Sequence, residues 1–302
     1  MAGRAPRTVA IVCSANVYVA PLPWLAQLTL RGVAVRVKPA RGQEAAIRAI
    51  AACFPRTEVH VWKGGDVEAE AAALRDVDGV IAFGGADALA AVHARLAPGV
   101  VWLPFGPRFG VAIVEEVTEG LALDHALFDG HGCMSPAAVF VRTPAGHDLP
   151  DTVLDQAARL LEVQEARLPR APLDPGDAVA IRSRLLLARA AGRVRLGSTW
   201  AVAQLPTRHF SVEGLPRLMV LHPWSDLAEV EALLRPWADA LGTVAWDAPT
   251  RAAWEARAAP LPPLTTLGHA PRHCEAGEMQ HPPTRRFHEG IDVLGALWRH
   301  PS

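Results

Sequence analysis

Gly79-Val-Ile-Ala-Phe-Gly-Gly-Ala-Asp87 reads as a strand, a paired-glycine turn and the opening of a helix. Its apolar run shows no polar alternation, which suits a strand covered on both faces rather than one that meets water. The same unit recurs on either side. Thr8–Cys13, Val33–Lys38 and Val59–Trp62 are further apolar, β-rich runs upstream, and Val100–Leu103 follows downstream. Between them lie segments of helical spacing at Leu22–Arg31, Glu44–Phe54, Glu68–Arg75 and Asp87–Leu96, with Gly32 and Pro39 as stops. Strand and helix alternating at this spacing predict a parallel sheet with helices on both faces. Ligands of such sheets bind beyond the carboxyl ends of the strands. Those ends carry Ser14–Asn16, Lys38–Arg41, Gly64-Gly65 and Gly84–Asp87. Glycines and polar residues there suit a dinucleotide, because bare backbone can approach phosphate. The Gly-x-Gly-x-x-Gly fingerprint is absent.

Further along, Phe128-Asp-Gly-His-Gly-Cys-Met-Ser-Pro136 places a cysteine on a glycine-rich turn. A helix or approach segment at Ala122–Phe128 precedes it, and a strand at Ala137–Arg142 follows. Such a turn presents a thiolate well, yet cysteine is also a common core residue, so the turn alone leaves nucleophile and structural cysteine equally open. Helices at Asp151–Ala166 and Ala178–Ala190 follow, with a proline-rich linker at Pro169–Pro175. Then come a hairpin within Gly192–Leu205, a strand at Leu218–Leu221, a helix at Asp226–Leu241 and a strand at Gly242–Trp246. Pro260–Pro263 reads as a second linker. These elements read as a second α/β domain.

Composition narrows the function. Half of the 302 residues are hydrophobic and a fifth are charged, which fits a globular chain with a sizeable core. A formal net charge of −1, without basic blocks interleaved with aromatics, argues against nucleic acid as a partner. The four cysteines, Cys13, Cys53, Cys133 and Cys274, are widely spaced and form no Cys-x-x-Cys pair, so neither a zinc site nor a disulfide framework is expected. His273, His281 and His288 with Glu275, Glu278 and Glu289 match no standard ligand spacing, and no metal is expected. No run of about 18 apolar residues is present and the signal-peptide pattern is poor. The expected location is therefore cytoplasmic.

Taken in order, five stations resemble the aldehyde dehydrogenase superfamily: Val9–Leu22 with Asn16; Val33–Arg41 with Lys38-Pro39; Val80–Asp87 with Gly84-Gly85; Leu103-Pro-Phe-Gly-Pro-Arg108; and Phe128–Pro136 with Cys133. Within it, Gly-Cys-Met-Ser-Pro and the C-terminal Gly277–Pro283, Phe287–Gly290 and Leu294–Leu297 are most similar to the fatty acyl-CoA reductases of bioluminescence operons and their relatives. The likeness spans most of the chain.

The resemblance implies an aldehyde dehydrogenase-like α/β fold, with a parallel Rossmann-type sheet and a second α/β catalytic domain. The expected divisions are 1–112 for nucleotide binding, 113–270 for catalysis, and 271–302 packing back on the core. It implies reduction of an acyl-CoA or acyl-protein thioester to an aldehyde, with Cys133 as nucleophile. Asn16 and the Cys133 backbone N–H are the oxyanion donors, although a loop asparagine more often satisfies its own backbone. Lys38, Arg41, Gly84 and Gly85 would bind the cofactor. The family often carries glutamate at the Arg41 position to hold a ribose hydroxyl. A guanidinium there favours a 2′-phosphate, so NADPH is expected in preference to NADH. His131 either lowers the thiol pKa or fills a polar position of the family. The glutamate that activates water in hydrolytic members is replaced by Pro104, which cannot act as a base. The family has roughly 100 residues before its first matching strand, a length that can hold a small domain. Met1 falls almost on that strand, so a shortened homologue or a misplaced start is expected, with altered contacts in any homo-oligomer. The competing readings are a CoA-acylating dehydrogenase working oxidatively with NAD, and a non-catalytic homologue.

Overall fold

The computed structural model describes residues 5–15, 17–257, 271–283 and 287–299. The chain divides into two compact units: Met1–Pro107 with Thr284–His288 and Asp292–Ser302, and Arg108–Pro283 with Glu289–Ile291.

The first unit alternates strand and helix. Its elements are β1 (Thr8–Val12), α1 (Leu22–Thr29), β2 (Ala34–Lys38), α2 (Glu44–Ala51), β3 (Thr57–Val59), α3 (Val67–Ala73), β4 (Gly79–Phe83), α4 (Ala86–His93) and β5 (Val101–Phe105). The strands form a five-stranded parallel sheet in the order β3-β2-β1-β4-β5. The chain first winds outward from β1 through β2 to β3. It then returns to the other side of β1 with β4, so a topological switch point lies between β1 and β4. The apolar runs are buried as expected of doubly covered strands. Val9, Ile11, Val80, Ile81 and Ala82 are wholly inaccessible. Ala10, Val12, Val80 and Ala82 pack with Leu74, Val77 and Val92 on one face. The C-terminal helix Val293–Arg299 returns to this unit, where Leu297 fills the space beside Gly79. A Cβ on that glycine would stand 2.4 Å from Leu297 Cδ2.

Two details of the sequence reading shift. The edge strand β3 ends at Val59 and does not extend to Trp62, although the His60 N–H still donates to the Val37 carbonyl at 2.9 Å. β5 runs on through Pro104, which is tolerated because β5 is an edge strand.

The second unit contains β6 (Phe109–Val114), α5 (Glu119–Ala126), β7 (Pro136–Arg142), α6 (Asp151–Arg167), α7 (Pro175–Ala191), β8 (Arg193–Leu196), β9 (Ala201–Gln204), β10 (Leu218–Trp224), α8 (Leu227–Leu234), β11 (Leu241–Trp246), α9 (Ala248–Glu255) and β12 (Arg272–Glu275). Its seven-stranded sheet has the order β12-β11-β6-β7-β10-β9-β8 and is parallel except for the β8–β9 hairpin. One face is covered by α5 and α6 through Leu121, Leu154 and Leu161. The other is covered by α8 through Leu227, Val230 and Leu234. The helix expected at Asp226–Leu241 stops at Leu234. Pro236 follows, a 3₁₀ segment spans Arg235–Ala240, and Leu241 already belongs to β11. The linker expected at Pro260–Pro263 lies outside the described residues.

Together the units form an α/β fold with a parallel Rossmann-type sheet and a mixed second sheet. Among the described residues, no helix is long and apolar enough to cross a membrane.

Candidate active site

The four cysteines separate by environment. Cys13 and Cys274 are buried, and burial pushes their thiols up to about 12 and about 11, which keeps them protonated. Cys53 is exposed just beyond the C-cap of α2, where its thiol points back to the Ala49 carbonyl at 3.6 Å. Cys133 is half-buried and sits on a turn immediately before β7.

That turn is tightly built. The chain leaves α5 through a 3₁₀ segment, Leu127–Gly130, in which Phe128, Asp129 and Gly130 take φ of 55°, 54° and 78°. Two successive non-glycine residues in the left-handed region are costly and need holding in place. The holding group is Arg217, which is 3% exposed. Its Nε donates to Asp129 Oδ1 at 2.8 Å, its Nη2 to the Leu168 carbonyl at 2.6 Å and its Nη1 to Glu165 Oε2 at 3.4 Å. Asp129 Oδ2 also accepts from the Ala171 N–H at 3.1 Å. Beyond the left-handed segment, the Ser135 N–H donates to the Gly132 carbonyl at 2.8 Å and closes a turn with Cys133 and Met134 at its centre.

Two residues of α5 support this turn from below. His125 is fully buried beside Gly130, and burial pushes its imidazole down to about 4. The Pro136 backbone and Asp129 pull weakly the other way, yet neither ring nitrogen makes a hydrogen bond of ordinary geometry. Asp124, 1% exposed, accepts from the backbone N–H groups of Gly277, Met279 and Gln280 at 2.7, 3.2 and 3.3 Å. Burial raises its carboxyl despite these three donors. The Gln280 amide then donates to the Asp124 carbonyl at 3.2 Å and to Ser135 Oγ at 2.9 Å.

Two side-chain pairs flank the turn. His131 Nε2 lies 3.3 Å from Asp177 Oδ2. Arg108 Nε donates to Glu289 Oε2 at 2.8 Å, with both side chains nearly buried. Gly242 lies between Arg108 and the turn. A Cβ there would meet Arg108 Cβ at 2.9 Å and the Cys133 carbonyl at 3.3 Å.

In the first unit, Lys38, Arg41, Gly84 and Gly85 share the carboxyl edge of the sheet. Lys38 Nζ stands 5.8 Å from the centre of the Trp62 ring. Arg41 is exposed on the loop before α2. Gly85 is the N-cap of α4 and no side chain caps that helix, so its first N–H groups are offered at the strand end. A Cβ on Gly85 would meet nothing within 4 Å. This is open backbone of the kind that suits a phosphate, with Asp87 in the first turn as an opposing charge. Beside it, Phe83 and Phe105 stack at 5.3 Å, and His288 stands edge-on to Phe105 at 4.4 Å. These residues fit a dinucleotide, which the chain's own residues would hold at Gly84-Gly85, Lys38 and Arg41. Asn16 lies outside the described residues. Cys133 belongs to the second unit.

The sequence reading gave no role to Asp124, His125, Asp129, Ser135, Arg217 or Gln280. Two signals were available. Asp124 and His125 interrupt an otherwise apolar helix, and Gln280 lies in the Gly277–Pro283 segment already singled out.

The family model described as acyl-CoA reductase (LuxC) matches residues 4–300. Long-chain acyl-protein thioester reductase 2 of Photobacterium leiognathi is 28% identical over 164 residues, covering 51% of this chain and 33% of that protein. The chain thus spans about a third of the length of that curated relative. Among solved structures, an aldehyde dehydrogenase from Brucella melitensis biovar abortus 2308 is similar with a TM-score of 0.65 at 12% identity, covering 97% of this chain and 68% of that one. Methylmalonate-semialdehyde dehydrogenase (DddC) from Oceanimonas doudoroffii gives 0.63 at 12% identity, covering 97% and 68%. An NAD-dependent aldehyde dehydrogenase from Burkholderia multivorans gives 0.61 at 18% identity, covering 97% and 60%. At these identities the likeness to the solved structures is one of fold.

Proposed function

The chain belongs to the acyl-CoA reductase (LuxC) family, and from that premise we propose that it reduces an acyl thioester to an aldehyde through an acyl group on Cys133. The observation that carries this reading is the setting of Cys133. It is a half-buried thiol on a hydrogen-bonded turn at the head of a central strand, while Cys13 and Cys274 are buried with raised pKa values. The Cys133 thiolate attacks the thioester carbonyl, and the C–S bond to the substrate's own thiol breaks, so that thiol leaves as thiolate. The oxyanion formed on the way is met by the Cys133 N–H. When bound, the nicotinamide cofactor supplies a hydride to the acyl carbon. The reduced adduct then collapses, releasing aldehyde and returning the Cys133 thiolate. Pro104 stands where hydrolytic relatives carry their base, so no side chain at that position activates water against the acyl-cysteine.

The first unit takes the nucleotide and the second the acyl group. Gly84-Gly85 at the start of α4 meets the phosphates, Lys38 the adenosine ribose, and Arg41 a 2′-phosphate, which makes NADPH the preferred donor. The substrate class is supported by the family match and by a relative named as an acyl-protein thioester reductase. A second reading, oxidation of an aldehyde to an acyl thioester with NAD, is supported by the shared fold of an NAD-dependent aldehyde dehydrogenase.

Radiolabelled acyl-CoA tests the reading. About one acyl group per chain is expected on Cys133, none in Cys133→Ala, and aldehyde on addition of NADPH. Acyl-CoA formed from aldehyde, CoA and NAD, with no reductive turnover, would favour the second reading. A wild-type chain that takes up no label would leave a non-catalytic homologue.

A further inference from the structure

We infer that Gln280 is a positioning residue for acyl transfer at Cys133, acting through Ser135 on the turn that aims the Cys133 N–H. The inference rests on the function proposed above.

Ser135 is 2% exposed and fixed on three sides. Its N–H donates to the Gly132 carbonyl at 2.8 Å, its carbonyl accepts from the Gly110 N–H at 3.2 Å, and its hydroxyl accepts from Gln280 Nε2 at 2.9 Å. The first of these bonds sets an oxyanion donor. In a trans peptide the N–H points opposite to the C=O of the same unit. Pinning the Gly132 carbonyl toward Ser135 therefore turns the Cys133 N–H the other way. Any rotation of Ser135 swings that N–H with it. The hydroxyl is the handle by which the Gly277–Pro283 segment holds Ser135.

That segment is itself anchored. Gln280 is not a loose surface amide, because its backbone N–H and its side chain both bond to Asp124. Its neighbour Met279 is wholly buried, and Met279 and Ser135 converge on Gly110, where a Cβ would stand 2.7 Å from Met279 Cε and 2.8 Å from the Ser135 carbonyl. The same geometry repeats at Gly120, whose added Cβ would lie 2.9 Å from Gly277 Cα. A buried carboxylate whose pKa is raised is an expensive anchor for a chain segment. It is intelligible if the segment must hold the Ser135 end of the turn to within a few tenths of an ångström.

Acyl transfer passes through an oxyanion, whereas alkylation of a thiolate by iodoacetamide does not. Comparing the two at Cys133 separates aim from integrity. In the full-length chain, Gln280→Met and Ser135→Ala are followed by site-resolved mass spectrometry for acylation by acyl-CoA and for carboxamidomethylation. Loss of a direct oxyanion donor costs about 10²–10³ in rate. Loss of a group that only aims one is expected to cost about ten- to a hundred-fold in acylation, with alkylation kept within about two-fold. Acylation at the wild-type rate in both variants overturns the inference. So does an equal fall in both reactions, which would mark a merely structural role. A wild-type Cys133 that alkylates but takes no acyl group would sink the proposed function first. Wild-type acylation alongside unaffected variants sinks the inference alone.

Discussion

At the residue scale, chemistry and support sit on different kinds of side chain. Cys133 is recognisable from its place after a nucleotide-binding-like strand and helix pattern, because its turn alone leaves nucleophile and structural cysteine equally open. Arg217 is not recognisable, because nothing in Leu-Pro-Arg-Leu distinguishes it from other arginines in the chain. Its importance comes from geometry: one guanidinium meets Asp129, Glu165 and the Leu168 carbonyl, and the planar fork of arginine makes that possible where lysine could not. Arg41 is the opposite case, an exposed side chain whose value depends wholly on a ligand. If its guanidinium receives a 2′-phosphate, Arg41→Glu replaces attraction by repulsion at a solvent-screened site. The expected result is a rise of about ten-fold or more in KM for NADPH, with KM for NADH little changed, since a single charged contact is worth on the order of 1–3 kcal/mol. Steady-state kinetics with both cofactors checks this, and an unaltered preference for NADPH would remove Arg41 from the site.

At the element scale, the first unit was nearly transparent. Continuous apolar runs such as Gly79–Phe83 stop at glycine or proline, so strand, turn and helix each announce themselves. β6 was not read, although all six of its residues are buried. It follows Pro104, Gly106 and Pro107, and that punctuation ends the first unit's pattern just before a new sheet begins. α8 was read too long because the apolar spacing continues past Pro236, where the chain has already left the α conformation. The contacts around the cysteine turn were illegible for another reason. Asp124 meets residues more than 150 positions away, and no local pattern encodes such a pairing. Gly110 shows what the packing demands. Its missing side chain lets β6, Met279 and the Ser135 carbonyl meet, and one of the groups in the way is backbone that cannot rotate aside. Gly110→Ala is therefore expected to cost about 1–3 kcal/mol, the usual range for overpacking a close-fitted site. Urea unfolding would show a lower midpoint at an unchanged slope. A midpoint equal to wild type would mean that the strand and the turn can separate at no cost.

At the scale of the whole molecule, the two units differ in what acid does to them. His125 and His222 are both buried in the second unit, and burial pushes each imidazole from 6.5 to about 4. His273, in the same unit, is pushed down as well. A histidine whose folded pKa is depressed makes no pH-dependent contribution above about 6.5, where neither the folded nor the unfolded chain is protonated. As pH falls below 6.5, the unfolded chain gains protons that the folded chain refuses, and stability drops until the folded pKa is reached near 4. For His125 and His222 that drop is on the order of 3 kcal/mol each. Together they rival the 5–15 kcal/mol that holds an ordinary domain. The second unit is therefore expected to open first as pH falls from 6.5 toward 4. Hydrogen exchange, corrected for intrinsic rates, should show β7 and β10 losing protection while β1 and β4 retain theirs. The cause can be separated from general acid lability with His222→Gln, whose amide does not titrate. Whatever the stability of this variant at pH 7, its loss between pH 6.5 and 4 should shrink by roughly half. Simultaneous loss in both sheets, or a pH slope untouched by the substitution, would place the acid-sensitive groups elsewhere in the chain.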